Sequence, residues 1–150
     1  MYTHILISTD GSELAQNGVN HGLSLAKSLG SKVTIVTVTA PFPPMAGTAA
    51  SAGWVATKAD VEHYDAGQKE FASGILAAAE ADARKIGVEA TTVHVSDASP
   101  ASAIVNAAQD QDCNLIVMAS HGRRGIKRLL LGSQTSEVLA TAHVPVLVIR

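Results

Sequence analysis

Short β-branched runs alternate regularly with longer amphipathic segments along this chain. The apolar runs cover residues 5–7, 33–38, 88–95, 115–118 and 144–149. Strands that alternate with helices predict a parallel sheet with helices on both faces. Because crossover connections are right-handed, the simplest arrangement is a single doubly wound α/β domain over residues 1–150. Its five-stranded parallel sheet is predicted in the order 3-2-1-4-5.

Local signals mark the ends of the first helical segment. Ser12 or Asp10 can cap it, and Glu13 lies three residues after Asp10, as in a capping box. Gly30 is suited to the left-handed conformation that ends many helices. A helix between Ser12 and Gly30 is therefore predicted.

Three further helices are predicted. The longest lies between residues 59 and 86. Its predicted apolar stripe comprises Phe71, Ile75, Ala79, Ala83 and Ile86. Ser99 followed by Pro100 is typical of a helix start, with a capping side chain and a proline at the first helical position. A short helix at residues 133–142 precedes the last strand.

Composition narrows the classes of function. The formal net charge is -2, which argues against nucleic acid as a partner because a phosphate backbone requires a basic surface. Cys113 is the only cysteine, as suits a reducing compartment. No apolar stretch approaches the roughly 18–20 residues of a membrane span, and the first residues do not resemble a signal peptide. We therefore expect a cytoplasmic protein without a membrane partner.

Ligands of doubly wound sheets bind at the carboxyl ends of the strands where the winding direction reverses. For the predicted order, this crevice lies between strands one and four. The loop after strand one holds residues 9–12, and the loop after strand four holds residues 119–125. Both loops are polar and contain glycine, so they could converge on one ligand.

The start of the fourth helix is suited to phosphate. It reads Gly132, Ser133, Gln134 and Thr135, and a helix N-terminus offers unpaired N–H groups at the positive end of the dipole. The alternative is that Gly132 is a turn and Ser133 an ordinary N-cap without a ligand. The glycine-rich loop about ten residues earlier favours phosphate binding.

These segments carry a resemblance to a known family. Residues 116–125 and 129–133 resemble the G-x2-G-x9-G-[S/T] pattern of the nucleotide-binding universal stress proteins, and the first and last strands are similar as well. Gly122, Gly132 and Ser133 take the last three positions of that pattern. Ala119 stands where the first glycine is expected. An alanine costs roughly 1–2 kcal/mol if the site needs a positive φ and little if the backbone is extended.

The resemblance implies roles for individual residues. Asp10 would face the ribose or a metal ion, with Mg²⁺ as the candidate, and the backbone of Val38 would meet the adenine edge. Met118 or Ala119 would lie near the base and the ribose. The full candidate set for ATP, or for AMP or ADP, is Thr9, Asp10, Val38, Met118, Ala119, Gly122, Arg123, Gly132, Ser133, Gln134 and Thr135.

Other polar residues give weaker signals. The six histidines show no metal-ligand spacing, and His121 is interpreted as a tether of its own loop. Ser12, Ser120 and Ser133 have no recognisable base or orienting partner for nucleophilic catalysis. We therefore expect no enzyme with substantial turnover.

Three functions remain open. The resemblance implies a stress-response protein that binds an adenine nucleotide. The second is a slow nucleotide hydrolase or transferase on the same site. The third is an interaction protein whose nucleotide site has decayed, which Ala119 would allow. The resemblance, together with the apolar run at residues 146–149 on a sheet edge, also predicts a homodimer through the last strand.

Overall fold

In the computed structural model, residues 1–44, 51–122 and 131–150 are described, and within them five strands alternate with four helices. The strands are β1 (His4–Ser8), β2 (Lys32–Val38), β3 (Ala90–Val95), β4 (Leu115–Ala119) and β5 (Val146–Ile149). The helices are α1 (Glu13–Leu29), α2 (Lys58–Lys85), α3 (Pro100–Asp110) and α4 (Ser133–Thr141).

The strands form one parallel sheet in the order β3-β2-β1-β4-β5. This confirms the predicted order and direction. β1 is the central strand, and Ile7 pairs with Ile35 of β2 on one side and Val117 of β4 on the other. The winding reverses between β1 and β4, so the predicted crevice lies at their carboxyl ends.

Each face of the sheet has its own apolar core. Ile5 and Ile7 point to the face that α1 and α2 cover, and Leu6 points to the face that α3 and α4 cover. Because both faces are buried, the strands read as continuous apolar runs instead of an alternating pattern. The two clusters confirm the predicted placement of helices on both sides.

The first helix is capped by Ser12, which is one of the two predicted caps. Ser12 is its N-cap, and the Ser12 hydroxyl accepts a hydrogen bond from the Ala15 N–H at 3.2 Å. The proposed capping box of Asp10 and Glu13 is therefore wrong. Gly30 ends the helix at φ 68°, as predicted.

The long helix α2 buries part of the predicted stripe. Its buried residues are Ala72, Leu76, Ala79 and Ala83, whereas Phe71 is 40% exposed. Ala79 and Ala83 are buried as predicted and Ile86 packs against the core, whereas Ala72 and Leu76 are buried in place of Phe71 and Ile75. Residues 58–71 of α2 contain no buried residue. The described helices include none with the length and hydropathy to cross a membrane.

Candidate functional site

Buried polar contacts fix the first residue after β1. Thr9 is buried, and its N–H donates to the Val36 carbonyl at 3.0 Å. The Thr9 carbonyl accepts from the Thr37 hydroxyl at 2.9 Å. Both backbone groups of Thr9 are thus used by β2, which leaves its side chain to shape the turn that follows.

That turn is closed by side chains. The Thr9 hydroxyl oxygen accepts from the Gly11 N–H at 3.2 Å, and the Asp10 carboxylate accepts from the Ser12 N–H at 2.9 Å through Oδ1. Gly11 has φ 78°, a conformation that favours glycine. The turn therefore holds the Asp10 carboxylate at the carboxyl end of the central strand.

The end of β4 is bound to the start of α4. The Ser120 carbonyl accepts from the Gly132 N–H at 2.9 Å and from the Thr135 hydroxyl at 3.0 Å. The same hydroxyl lies 3.1 Å from the Ala119 carbonyl, and Thr135 is 2% exposed. A Cβ on Gly132 would lie 3.2 Å from the Ser120 carbonyl oxygen. A side chain at Gly132 would therefore press against this carbonyl, whereas the extended backbone of Gly132 itself is open to any residue.

These contacts refine the predicted phosphate residues. The Gly132 N–H and the Thr135 hydroxyl proton are used within the chain, so they hold α4 in place. Gly132, and not Ser133, is the N-cap of α4, and no side chain of the described residues caps it. Ser133 and Gln134 are the first helical residues, where backbone N–H groups lack partners in the helix itself.

The side chain of Gln134 has a structural role that the sequence did not indicate. Its Oε1 accepts from the Ala101 N–H at 2.9 Å, in the first turn of α3. Ser99, the predicted cap of α3, makes no side-chain capping bond. Gln134 therefore supplies the cap from a neighbouring helix. The pair is 33 residues apart, so no local spacing could have revealed it.

The loops after β1 and β4 meet at a glycine. A Cβ on Gly122 would lie 2.7 Å from Asp10 Oδ2. Ordinary van der Waals contact begins well beyond that distance, so any side chain at Gly122 would displace the carboxylate. The predicted convergence of the two loops is visible in this contact.

His121 lies beside this contact and is only partly satisfied. Its Nδ1 is 2.8 Å from the Ser120 hydroxyl. Its Nε2 is buried and has no hydrogen-bond partner among the residues that the structure describes. The sequence predicted no base near Ser120, and the structure brings an imidazole to it. Ser120 is 2% exposed, and no described group orients the imidazole from its other nitrogen.

The conformation of Ala119 is that of a strand. It is the last residue of β4 and pairs with Ile149 of β5. It does not appear among the non-glycine residues with positive φ, which are Asp97 and Asp112 in the described chain. The methyl group thus avoids the penalty of a left-handed backbone. The side chain of Met118 packs into the core with residues of α3 and α4. Only its backbone is therefore left for contact with a ligand.

The backbone of Val38 points past the end of β1. Along a strand within a sheet, successive residues direct their N–H and C=O groups to opposite neighbours. The Val36 carbonyl bonds to Thr9 next to β1, and the Thr39 N–H bonds to Val95 of β3. Val38 therefore faces the β1 side, where that strand has already ended at Ser8.

A cavity of about 580 Å³ is lined by the Thr9–Gly11 turn and by residues of α2. Its walls include Thr9, Gly11, Gln16, Glu70 and Ile75. It lies beside the β1 end of the crevice and does not extend to Gly132. Its volume is in the range of small-molecule sites.

Arg123 lies outside the described residues. Within the described ranges, no group of three His, Cys, Asp or Glu residues is arranged to hold a metal ion. Burial raises the pKa of the Cys113 thiol to about 11, so this cysteine is protonated at neutral pH.

Comparison with known proteins gives a consistent result. The model of the universal stress protein family matches residues 1–150. Universal stress protein MJ0531 of Methanocaldococcus jannaschii is 31% identical over 150 residues, which cover 100% of this chain and 83% of that protein. The solved structure of MJ0577 superposes with a TM-score of 0.79 at 26% identity and covers 99% of this chain and 96% of its own.

Two more distant structures contain nucleotides. A universal stress protein in complex with cAMP has a TM-score of 0.69 at 22% identity, covering 99% of this chain and 97% of its own. The universal stress protein of Archaeoglobus fulgidus in complex with dAMP has a TM-score of 0.67 at 22% identity, covering 99% and 98%. At this identity the likeness concerns the fold.

Proposed function

Because this chain belongs to the universal stress protein family, we propose that it binds an adenine nucleotide and acts as a regulatory stress-response protein. The observation that carries the proposal is the N-terminus of α4, which no described side chain caps, beside the close approach of Gly122 to the Asp10 carboxylate. Related folds hold cAMP and dAMP. The proposed ligand is ATP, with AMP and ADP as alternatives.

The phosphates would bind at the first turn of α4. The backbone N–H groups of Ser133 and Gln134 are suited to phosphate oxygens, and the helix dipole favours the negative charge. The Ser133 hydroxyl can donate a further bond. Gly132 and Thr135 contribute by fixing this turn against Ser120.

The base would lie toward β2. The outward N–H and C=O of Val38 offer one donor and one acceptor in line, which match the amino group and a ring nitrogen of adenine. Asp10 would face the ribose, or a Mg²⁺ ion that the phosphates bring with them. A magnesium ion usually binds one or two carboxylates together with substrate phosphates, so Asp10 fits such a role.

The first experiment asks whether the site is occupied. We expect native mass spectrometry of the freshly purified protein to detect bound ATP or AMP. Incubation with ATP would distinguish the alternatives: accumulating product would favour a hydrolase or transferase. A site that stays empty at millimolar ATP would favour an interaction protein with a decayed site.

The second experiment locates the phosphates. Gly132→Val should weaken ATP binding at least tenfold, about 1.4 kcal/mol, because the side chain would push against the Ser120 carbonyl and shift α4. Ser136→Val introduces the same side chain one turn later in α4, on an exposed position, and should leave binding unchanged. Calorimetry with proteins of matched thermal stability decides. Unchanged binding by Gly132→Val would show that the phosphates lie elsewhere.

We also propose a homodimer through β5. This strand is an edge of the sheet, and Leu147 is 38% exposed there. An exposed apolar edge offers unpaired backbone groups to a second copy. Light scattering at micromolar concentration should give twice the 15.4 kDa mass of one chain. A mass near 15.4 kDa would exclude this dimer.

A further inference from the structure

The two ring nitrogens of His121 differ in their hydrogen bonding. One nitrogen, Nδ1, lies 2.8 Å from the Ser120 hydroxyl, and the other, Nε2, is buried without a hydrogen-bond partner among the described residues. No other buried side-chain nitrogen or oxygen in the described chain is left unpaired. Buried polar groups are almost always paired, so an unpaired one calls for an explanation, and one explanation is a ligand that the described residues do not include.

The backbone of His121 lies at the centre of the candidate site. A Cβ on Gly132 would lie 3.7 Å from His121 Cα, which places His121 against the start of α4. On its other side, Gly122 abuts the Asp10 carboxylate. His121 therefore lies between the helix N-terminus and the acidic residue of the β1 turn.

The contact with Ser120 indicates which proton the imidazole carries. In a neutral imidazole, one nitrogen donates and the other accepts. If the Ser120 hydroxyl donates to Nδ1, Nε2 carries the hydrogen and is a donor without an acceptor. A phosphate oxygen is an acceptor of the required kind, and the neighbouring N–H groups of α4 attract the same ligand.

We propose that His121 is a nucleotide-contacting residue whose Nε2–H donates to a phosphate oxygen of the bound nucleotide. This inference rests on the proposed function and adds a residue to its site. It also replaces the interpretation of His121 as a tether of its own loop. The specificity that follows is for a phosphorylated ligand over the nucleoside.

Two substitutions separate the two nitrogens. His121→Asn keeps a polar atom near the position of Nδ1 and removes the group at Nε2. His121→Gln places an amide near the position of Nε2. With calorimetry we expect His121→Asn to bind ATP at least tenfold more weakly than the parent, and His121→Gln to stay within about threefold. Binding of adenosine should be equal in all three proteins, because adenosine has no phosphate.

Nuclear magnetic resonance on the parent protein supplies a measurement that does not depend on a variant's folding. The 15N resonance of His121 Nε2 should shift when ATP saturates the site and stay in place when adenosine does. The inference would be wrong if His121→Asn bound ATP as tightly as the parent, or if the Nε2 resonance did not shift on addition of ATP. Neither result would contradict the proposed nucleotide site itself. A parent that binds neither ATP nor adenosine would overturn the proposed function and this inference together.

Discussion

The polar residues before and after strand β4 differ in their hydrogen bonding, and the difference separates structural polar residues from those proposed to face a ligand. Asn114, immediately before the strand, accepts from the N–H groups of Thr3 and His4 at 3.0 and 3.2 Å. Its amide nitrogen donates to the Met1 carbonyl and the Thr3 hydroxyl, each at 3.2 Å. His121, two residues after the strand, leaves one buried nitrogen without a partner in the described chain.

The difference follows from what each edge of the sheet must do. At the amino edge, Asn114 ties the first residues of the chain to β4, and its amide group is saturated by the protein itself. At the carboxyl edge, the described residues leave the buried Nε2 of His121 without a partner, and none of their side chains caps the start of α4. Substitutions at the amino edge should therefore change stability, and substitutions at the carboxyl edge should change affinity.

The largest expected effect tests the amino edge. Asn114→Ala removes four side-chain hydrogen bonds. We expect the free energy of unfolding to fall by about 2 kcal/mol, because exposed or half-buried bonds contribute near the lower end of about 0.5–1.5 kcal/mol each. Chemical denaturation measures it. Asn114→Asp keeps the acceptor oxygen and should recover about half of the loss. Nucleotide affinity should not change, and an affinity loss in Asn114→Ala at full folding would contradict the division of the two edges.

The next effect tests the bond between β4 and α4. Thr135→Val preserves the shape of the side chain but removes the hydroxyl that donates to Ala119 and Ser120. The first turn of α4 loses its anchor, so ATP affinity should fall about tenfold. Thr135→Ser keeps the hydroxyl and should bind within about threefold of the parent. Equal weakening by Ser and Val would mean that the methyl group, and not the hydrogen bond, positions the helix.

A smaller effect tests the meeting of the two loops. Gly122→Ala would displace the Asp10 carboxylate, whose Oδ2 lies 2.7 Å from the new Cβ. The carboxylate terminates a short side chain that can rotate, so stability should change little. If Asp10 supports a Mg²⁺ ion, ATP affinity should fall about threefold with Mg²⁺ and remain unchanged with EDTA. Equal loss under both conditions would remove the metal from the proposed role of Asp10.

The features of the fold that depend on periodicity were predictable from the sequence. The alternation of apolar runs with amphipathic segments predicted the parallel sheet, and right-handed crossovers made the order 3-2-1-4-5 the simplest. That order located the crevice between strands one and four. The roles of Gln134, Thr135 and His121 were not predictable, because they depend on bonds between a side chain and the backbone or hydroxyl of another segment. Such bonds leave no repeat in the sequence, and the same residue types serve equally well as exposed polar residues.

The predicted stripe of α2 was wrong at its first two positions. Hydrophobicity favoured Phe71 and Ile75, but the helix packs through Ala72 and Leu76. An alanine such as Ala72 carries little weight in a hydrophobic pattern, so the pattern places the stripe under the larger side chains. The error did not affect the crevice, which lies at the ends of the strands.

The smallest expected effect decides whether the site is functional or decayed. Ala119 takes the position of the first glycine in the family pattern, and its methyl group could block a ligand or strain the backbone. The strain is absent, because Ala119 ends β4 in a strand conformation and pairs with Ile149.

We therefore expect Ala119→Gly to bind ATP with equal or slightly higher affinity, within about twofold of the parent, measured by calorimetry at matched thermal stability. Glycine in a strand loses more conformational freedom on folding, so the variant should be less stable by about 0.5 kcal/mol. A gain of tenfold or more would show that the methyl group obstructs the ligand directly. The methyl group of Ala119 would then have weakened the nucleotide site of this chain, and the His121 nitrogen that has no partner in the described chain would be a remnant of a stronger site.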